Sequence, residues 1–148
     1  MFWLLTKTLR FFNKIGYFKK DNKMNELSVI TVLFNEEHRI ERLLNSLRWC
    51  KEVIVVDKSS TDNTVQIARS YSNVKIINVP YSDTGPEVQI GVNAASNLWV
   101  LHLTASDIIH PKLVDELLLL INKPDFDYDI IDVPFAMYVF GIRSRRSP

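Results

Sequence analysis

Four short runs of branched and aromatic residues alternate with stretches of helical periodicity, and this alternation constrains the fold more than any other feature. Residues 28–33 (SVITVL) and 53–56 (VIVV) read as strands buried on both faces. Residues 74–79 and 98–103 (LWVLHL) read as a third and a fourth strand. Between them, residues 36–49 place Ile40, Leu43, Leu44 and Leu47 at helical spacing, with acids in the first turn. Ser59, Ser60, Thr61, Asp62 and Asn63 offer several N-caps for a helix through about Tyr71. Residues 86–96 predict a third helix. Residues 111–122 predict a fourth, with proline in its first turn. Residues 129–133 and 135–140 are strand-like. Such alternation implies an α/β fold, a mostly parallel sheet flanked by helices on both faces.

Sheets of this kind bind ligands beyond the carboxyl ends of their strands. The loops to read for function are therefore residues 34–36, 57–60, 80–85 and 104–107. No Gly-x-Gly-x-x-Gly or phosphate-loop sequence follows the first strand, which counts against a dinucleotide or P-loop site.

At 148 residues the chain is one domain's worth, and 47% apolar with 24% charged residues is ordinary for a globular protein. The single cysteine, Cys50, excludes an internal disulfide and fits a reducing compartment. The net charge of +1 hides an asymmetry: residues 1–26 carry +4, residues 27–140 carry −6 and residues 141–148 carry +3. An acidic body between basic ends does not predict a nucleic-acid partner. It divides the chain into a basic amino-terminal segment (1–26), a folded body (27–140) and a basic tail (141–148).

Within residues 1–20, Leu4, Leu5, Leu9, Phe11, Phe12, Ile15 and Phe18 share one helical face, and Lys7, Arg10 and Lys14 share the other. Charges interleaved with apolar residues do not make a signal peptide. Two readings stay open: an amphipathic helix on an anionic membrane surface, or a terminal helix docked on protein.

The strand-end loops carry a known pattern. Residues 28–37 (SVITVLFNEE) and 53–64 (VIVVDKSSTDNT) resemble family 2 glycosyltransferases of the GT-A fold, in which one strand ends in Tyr-Asn-Glu and the next in Asp-Asp-Gly-Ser-Thr-Asp-Asn-Thr. Residues 99–103, Pro111 and Leu113 match the stretch around that family's metal-binding Asp-any-Asp. The likeness runs from about Leu27 to Leu120 and is nearest to bacterial envelope-polysaccharide and lipopolysaccharide transferases. It implies a GT-A-like (Rossmann-like) fold and a site for a nucleotide-diphosphate sugar. Phe34, Asn35, Glu36, Asp57, Lys58, Ser59, Ser106 and Asp107 are the implied binding residues. Asp57 would hydrogen-bond the base or ribose, and free amides opening the second helix would add acceptor-binding capacity at the rim. The implied partners are the donor and a glycan or lipid-linked acceptor, on the cytoplasmic side of a bacterial inner membrane.

Two departures bear on cofactors. Lys58 stands where the family has its second aspartate, and Thr104-Ala105-Ser106 stands where it has Asp-any-Asp, followed by Asp107. The family's Mg²⁺ or Mn²⁺ needs hard carboxylate oxygens. The usual metal site is therefore expected to be absent or badly weakened, with Asp107 as its one candidate ligand or, alternatively, a cap for the fourth helix. Lys58, Arg143, Arg145 and Arg146 are candidate cations to offset the leaving diphosphate. The rival reading is a truncated, inactive nucleotide-binding or interaction module.

Direct displacement also needs a general base, and the chain ends before most of the family's acceptor-binding part. Asp132 is the weak candidate, a strand-edge carboxylate being the stronger reading. His38, His102 and His110 lack metal-ligand spacing. Cys50 reads as half-buried filler and Trp99 as core. Asp83 and Glu87 read as solvated loop residues, with sugar or acceptor contact as the alternative.

Overall fold

The computed structural model describes residues 8–10, 26–82, 85–125, 130–133, 138–139 and 142–143. In chain order the elements are β1 (Thr8–Arg10), β2 (Leu27–Leu33), α1 (Glu37–Ser46), β3 (Glu52–Asp57), α2 (Thr64–Arg69), β4 (Val74–Asn78), α3 (Glu87–Ala94), β5 (Trp99–Leu103), α4 (Pro111–Ile121), β6 (Ile130–Asp132), β7 (Tyr138–Val139) and β8 (Ile142–Arg143).

The main sheet has the order β4-β3-β2-β5, and every pairing in it is parallel. The chain steps outward from β2 through β3 to β4, and α3 then carries it back to β5 on the other side of β2. The carboxyl ends of β2 and its two neighbours therefore meet where the strand order reverses, the place at which such sheets bind ligands.

Both faces are covered, which is why β2 and β3 read as continuous apolar runs rather than alternating ones. On one face Val29, Leu33, Val53, Val55 and Leu101 join Ile40, Leu43 and Leu44 of α1 and Val114 and Leu117 of α4 in the larger core. On the other, Ile30, Ile54, Val56 and Val100 pack with Val92, Ala94 and Ala95. Gly91 lets α3 lie close to the sheet there: a Cβ on it would stand 2.3 Å from Ile30 Cγ2.

The four core strands and four helices fall where the periodicity predicts, and the differences are local. The second helix starts at Thr64 with Asn63, the last of the expected caps, as its N-cap residue, because residues 59–63 are held in a turn by bonds to the loop after β2, and it ends at Arg69 rather than at about Tyr71. Of residues 1–20 only Thr8–Arg10 are described. They are extended, paired antiparallel with β6 so that Thr8 faces Asp132. The rest of the expected amphipathic helix lies outside the described residues. So does most of the basic tail, apart from β8, which pairs antiparallel with β7. No helix among the described residues is long and apolar enough to cross a membrane.

Candidate functional site

The loops after β2 and β3 are stitched together by their own polar groups. Asn35 adopts φ 53° and Ser59 φ 59°, both left-handed. Asparagine tolerates this through local hydrogen bonding, whereas serine does so at a cost of about 1–2 kcal/mol. Ser59 occupies the place of glycine in the pattern Asp-Asp-Gly-Ser, and its φ accounts for glycine there. Its hydroxyl offsets part of the cost by donating to the Val79 carbonyl at 2.8 Å.

Around that turn, the Asn35 amide donates to Ser60 Oγ at 2.9 Å and the Thr61 amide to Asn35 Oδ1 at 2.8 Å. The two helix starts cap each other: the Glu37 amide donates to Asp62 Oδ2 at 3.1 Å, and the Asn63 amide to Glu37 Oε2 at 3.0 Å. The Glu36 amide donates to the buried Thr64 hydroxyl at 2.7 Å. Asp62 Oδ1 accepts from the Thr64 amide at 3.0 Å. Partial burial pushes the Asp62 carboxyl up, but hydrogen bonds from Thr64 and Glu37 outweigh it and hold the group below the usual carboxylate range.

This accounting corrects one expectation. The amides of Ser60, Thr61, Asn63 and Thr64 already donate to side chains, so they are not free rim donors. Glu36 is likewise committed, its carboxylate accepting from Arg39 Nη1 at 2.8 Å.

Asp57 is the exception in this web. It ends β3 at 2% exposure, and one oxygen, Oδ2, accepts from the Ser60 amide at 3.0 Å. Its other oxygen, Oδ1, is buried with no hydrogen-bond partner. Thr31 Oγ1 and Trp49 Nε1 share that condition among the described residues. Only Asp57 combines it with a carboxylate and a place at the carboxyl edge of the sheet. An unpaired buried acceptor costs on the order of 1–3 kcal/mol, and a ligand donor would remove that cost.

Beside Asp57 lies an aromatic and charged cluster. Phe34 and Tyr81 are both exposed, with ring centroids 4.5 Å apart at 55°. Lys58 Nζ stands 4.9 Å over the Tyr81 ring and 3.7 Å from Glu87 Oε1. Lys58 and Glu87 are thus neither free nor solvated: their side chains are 17% and 10% exposed. Glu87 opens α3 rather than sitting in a loop, and its carboxylate covers Gly85, where a Cβ would meet Oε1 at 2.6 Å. Tyr81 is not singled out by the sequence pattern; the available signal is an aromatic residue three positions past the carboxyl end of β4.

Residues 104–107 follow β5, which neighbours β2 on the side away from β3. Asp107 Oδ2 accepts from the Thr104 amide at 2.7 Å and the Thr104 hydroxyl at 2.8 Å, and Thr104 Oγ1 lies 3.1 Å from Ser106 Oγ. Asp107 thus closes its own turn, while α4 is capped by His110, whose Nδ1 accepts from the Lys112 amide at 3.2 Å. One carboxylate turned onto the Thr104 amide and hydroxyl is a poor donor set for a hard dication. No cluster of three metal-ligating side chains occurs among the described residues. Asp132 lies in β6, Arg143 in β8; Asp83, Arg145 and Arg146 lie outside the described residues. Cys50 is fully buried rather than half-buried, and burial pushes its thiol up. Trp99 is buried in β5, as expected.

The description "Glycosyl transferase family 2" belongs to the family profile that matches residues 28–147. The chain belongs to this family. An uncharacterized glycosyltransferase of Rickettsia typhi is 36% identical over 95 residues, covering 64% of this chain and 32% of that relative. The lipopolysaccharide core biosynthesis glycosyltransferase LpsC of Rhizobium meliloti is 27% identical over 91 residues, covering 59% of this chain and 34% of the relative. The chain thus spans about a third of the length of the curated relatives it matches. Among solved structures, glucosyl-3-phosphoglycerate synthase of Mycobacterium tuberculosis superposes with a TM-score of 0.54 and 26% identity, covering 68% of this chain and 42% of that one. The same synthase is known in complex with Mn²⁺, UDP and glucosyl-3-phosphoglycerate. Family 2 membership and the doubly covered parallel sheet agree on a GT-A-like fold.

Proposed function

We propose that this chain provides the donor-binding half of a glycosyltransferase that moves a sugar from a nucleotide diphosphate to a hydroxyl of a glycan or lipid-linked acceptor. In that transfer the anomeric carbon's bond to the diphosphate oxygen breaks, and the nucleoside diphosphate leaves with the electron pair. The acceptor oxygen bonds to the anomeric carbon and gives up its proton to a general base. The observation that carries the reading is Asp57 Oδ1, a buried acceptor without a partner at the edge where β2 and β3 end. A base N–H or a ribose hydroxyl is a donor of the kind it lacks. Phe34 and Tyr81 give the nucleoside an aromatic wall. Asn35, Glu36 and Ser59 build the loops that fix Asp57, and Ser106 and Asp107 form the opposite rim.

Family membership and the likeness to LpsC support an envelope-polysaccharide or lipopolysaccharide acceptor. The basic and apolar side chains interleaved in residues 1–20 support a peripheral place on the inner face of a bacterial cytoplasmic membrane. The test is nucleotide release from a panel of uridine, guanosine, cytidine and thymidine diphosphate sugars, with and without membrane glycolipid. One donor should turn over, and Asp57→Ala should abolish it. Binding of a donor without release under any condition would favour the second reading, an inactive nucleotide-binding module, to which the closed turn at residues 104–107 lends support.

A further inference from the structure

The site must meet about two negative charges on a diphosphate, yet the loop that would hold a dication in this family does not fit one. Thr104 and Ser106 contribute neutral hydroxyls, and Asp107 Oδ2 is spent on the Thr104 amide and hydroxyl. A cation does stand at the carboxyl edge, one residue beyond Asp57. The Lys58 backbone is fixed by its amide donating to the Leu33 carbonyl at 2.8 Å. Its side chain is largely buried between the Tyr81 face and Glu87. We propose that Lys58 supplies the positive charge this site offers to the phosphate-bearing part of its donor, in place of a divalent ion, with Glu87 as its counter-ion when the donor is absent.

The geometry supports an exchangeable pair. At 3.7 Å the Lys58–Glu87 contact is an ion pair but lies beyond hydrogen-bond distance, so Glu87 holds the ammonium by charge alone. A phosphate oxygen that comes closer adds charge-assisted hydrogen bonds that Glu87 does not make. Tyr81 limits where the ammonium can go and holds its charge by a cation–π contact. Lysine is suited to this task because its ammonium binds phosphate as a compact point charge.

This inference rests on the nucleotide-donor reading above, and the experiment separates the two. Calorimetric titrations are run in EDTA with a nucleoside diphosphate and with its matching nucleoside, on the full chain. Wild type should bind the diphosphate more tightly than the nucleoside, with no loss when EDTA replaces Mn²⁺. Lys58→Met should weaken the diphosphate on the order of 10- to 100-fold, the worth of a charge-assisted contact, and leave the nucleoside unchanged. Lys58→Arg should keep most of the affinity, and Glu87→Gln should tighten the diphosphate a few-fold by removing the competitor. Lys58→Met leaves Glu87 buried without a counter-ion, so the charge-neutral double variant Lys58→Met/Glu87→Gln guards against misfolding and should show the same selective loss. Equal diphosphate affinity in wild type and both methionine variants, or loss of the diphosphate preference in EDTA, overturns the role of Lys58 while nucleoside binding still upholds the donor reading. No binding of either compound by folded wild type overturns both.

Discussion

Replacing Asp57 by asparagine should move stability and ligand binding in opposite directions. The Ser60 amide, 3.0 Å from Oδ2, fixes which end of the new side chain points where: the amide oxygen keeps that bond, and the amide nitrogen takes the place of Oδ1. The wild-type protein carries a carboxylate oxygen at 2% residue exposure with nothing to satisfy it. Neutralising the group removes part of a penalty of about 1–3 kcal/mol. The folded state should therefore be unchanged or stabilised by up to about 1–2 kcal/mol, read from urea unfolding followed by circular dichroism. Binding should suffer, because a donor now faces the ligand's donor. Loss of a hydrogen bond to a charged group is worth about 1.5–3 kcal/mol, or roughly 10- to 150-fold in nucleoside affinity by saturation-transfer NMR or calorimetry. A variant that loses more than about 1 kcal/mol of stability, or binds nucleoside as wild type does, would refute the assignment of Oδ1 as a vacant acceptor.

Three further outcomes follow from particular contacts. Gly91→Ala should destabilise by about 1–3 kcal/mol, since its Cβ would fall 2.3 Å from Ile30 Cγ2; an unchanged melting temperature would contradict the close approach of α3 to the sheet. Burial pushes the Glu52 carboxyl up, but hydrogen bonds from Ser28 and Ser96 outweigh it and hold it below the usual carboxylate range. A carboxyl lowered on folding adds stability above its unfolded value and loses it as pH falls through the folded one. Ser28→Ala should therefore shift acid unfolding to higher pH, and an unmoved acid limb in a pH titration would argue against that bond. Alanine at Lys7, Arg10 and Lys14 together should reduce sedimentation with anionic vesicles, while equal binding would reject a membrane role for these charges.

The architecture was legible because the signals behind it are local. Residues 28–33 and 53–56 lack polar alternation, which only strands covered on both faces can sustain, and α1 displays Ile40, Leu43 and Leu44 on one face. What escaped depends on partners far apart in sequence. Nothing near Glu87 signals that Lys58, 29 positions earlier, draws it into a buried pair. The run from Ser59 to Asn63 looks like a choice of N-caps. Its last member, Asn63, is the N-cap residue of α2, and the amides of Thr61 and Asn63 bind Asn35 and Glu37 across the site, so they are not open to a ligand. Of the residues inferred for donor binding, Asp57 keeps a buried carboxylate oxygen without a partner and Phe34 an exposed ring at the edge, while Glu36, Ser59 and Asp107 are engaged in holding the loops.

The most direct measurement is a crystal structure of the chain with the nucleoside diphosphate it binds most tightly. A base or ribose donor should lie within hydrogen-bonding reach of Asp57 Oδ1, with the rings of Phe34 and Tyr81 alongside. A nucleotide seated elsewhere, with that oxygen still unpartnered, would contradict the reading of this edge as a donor site.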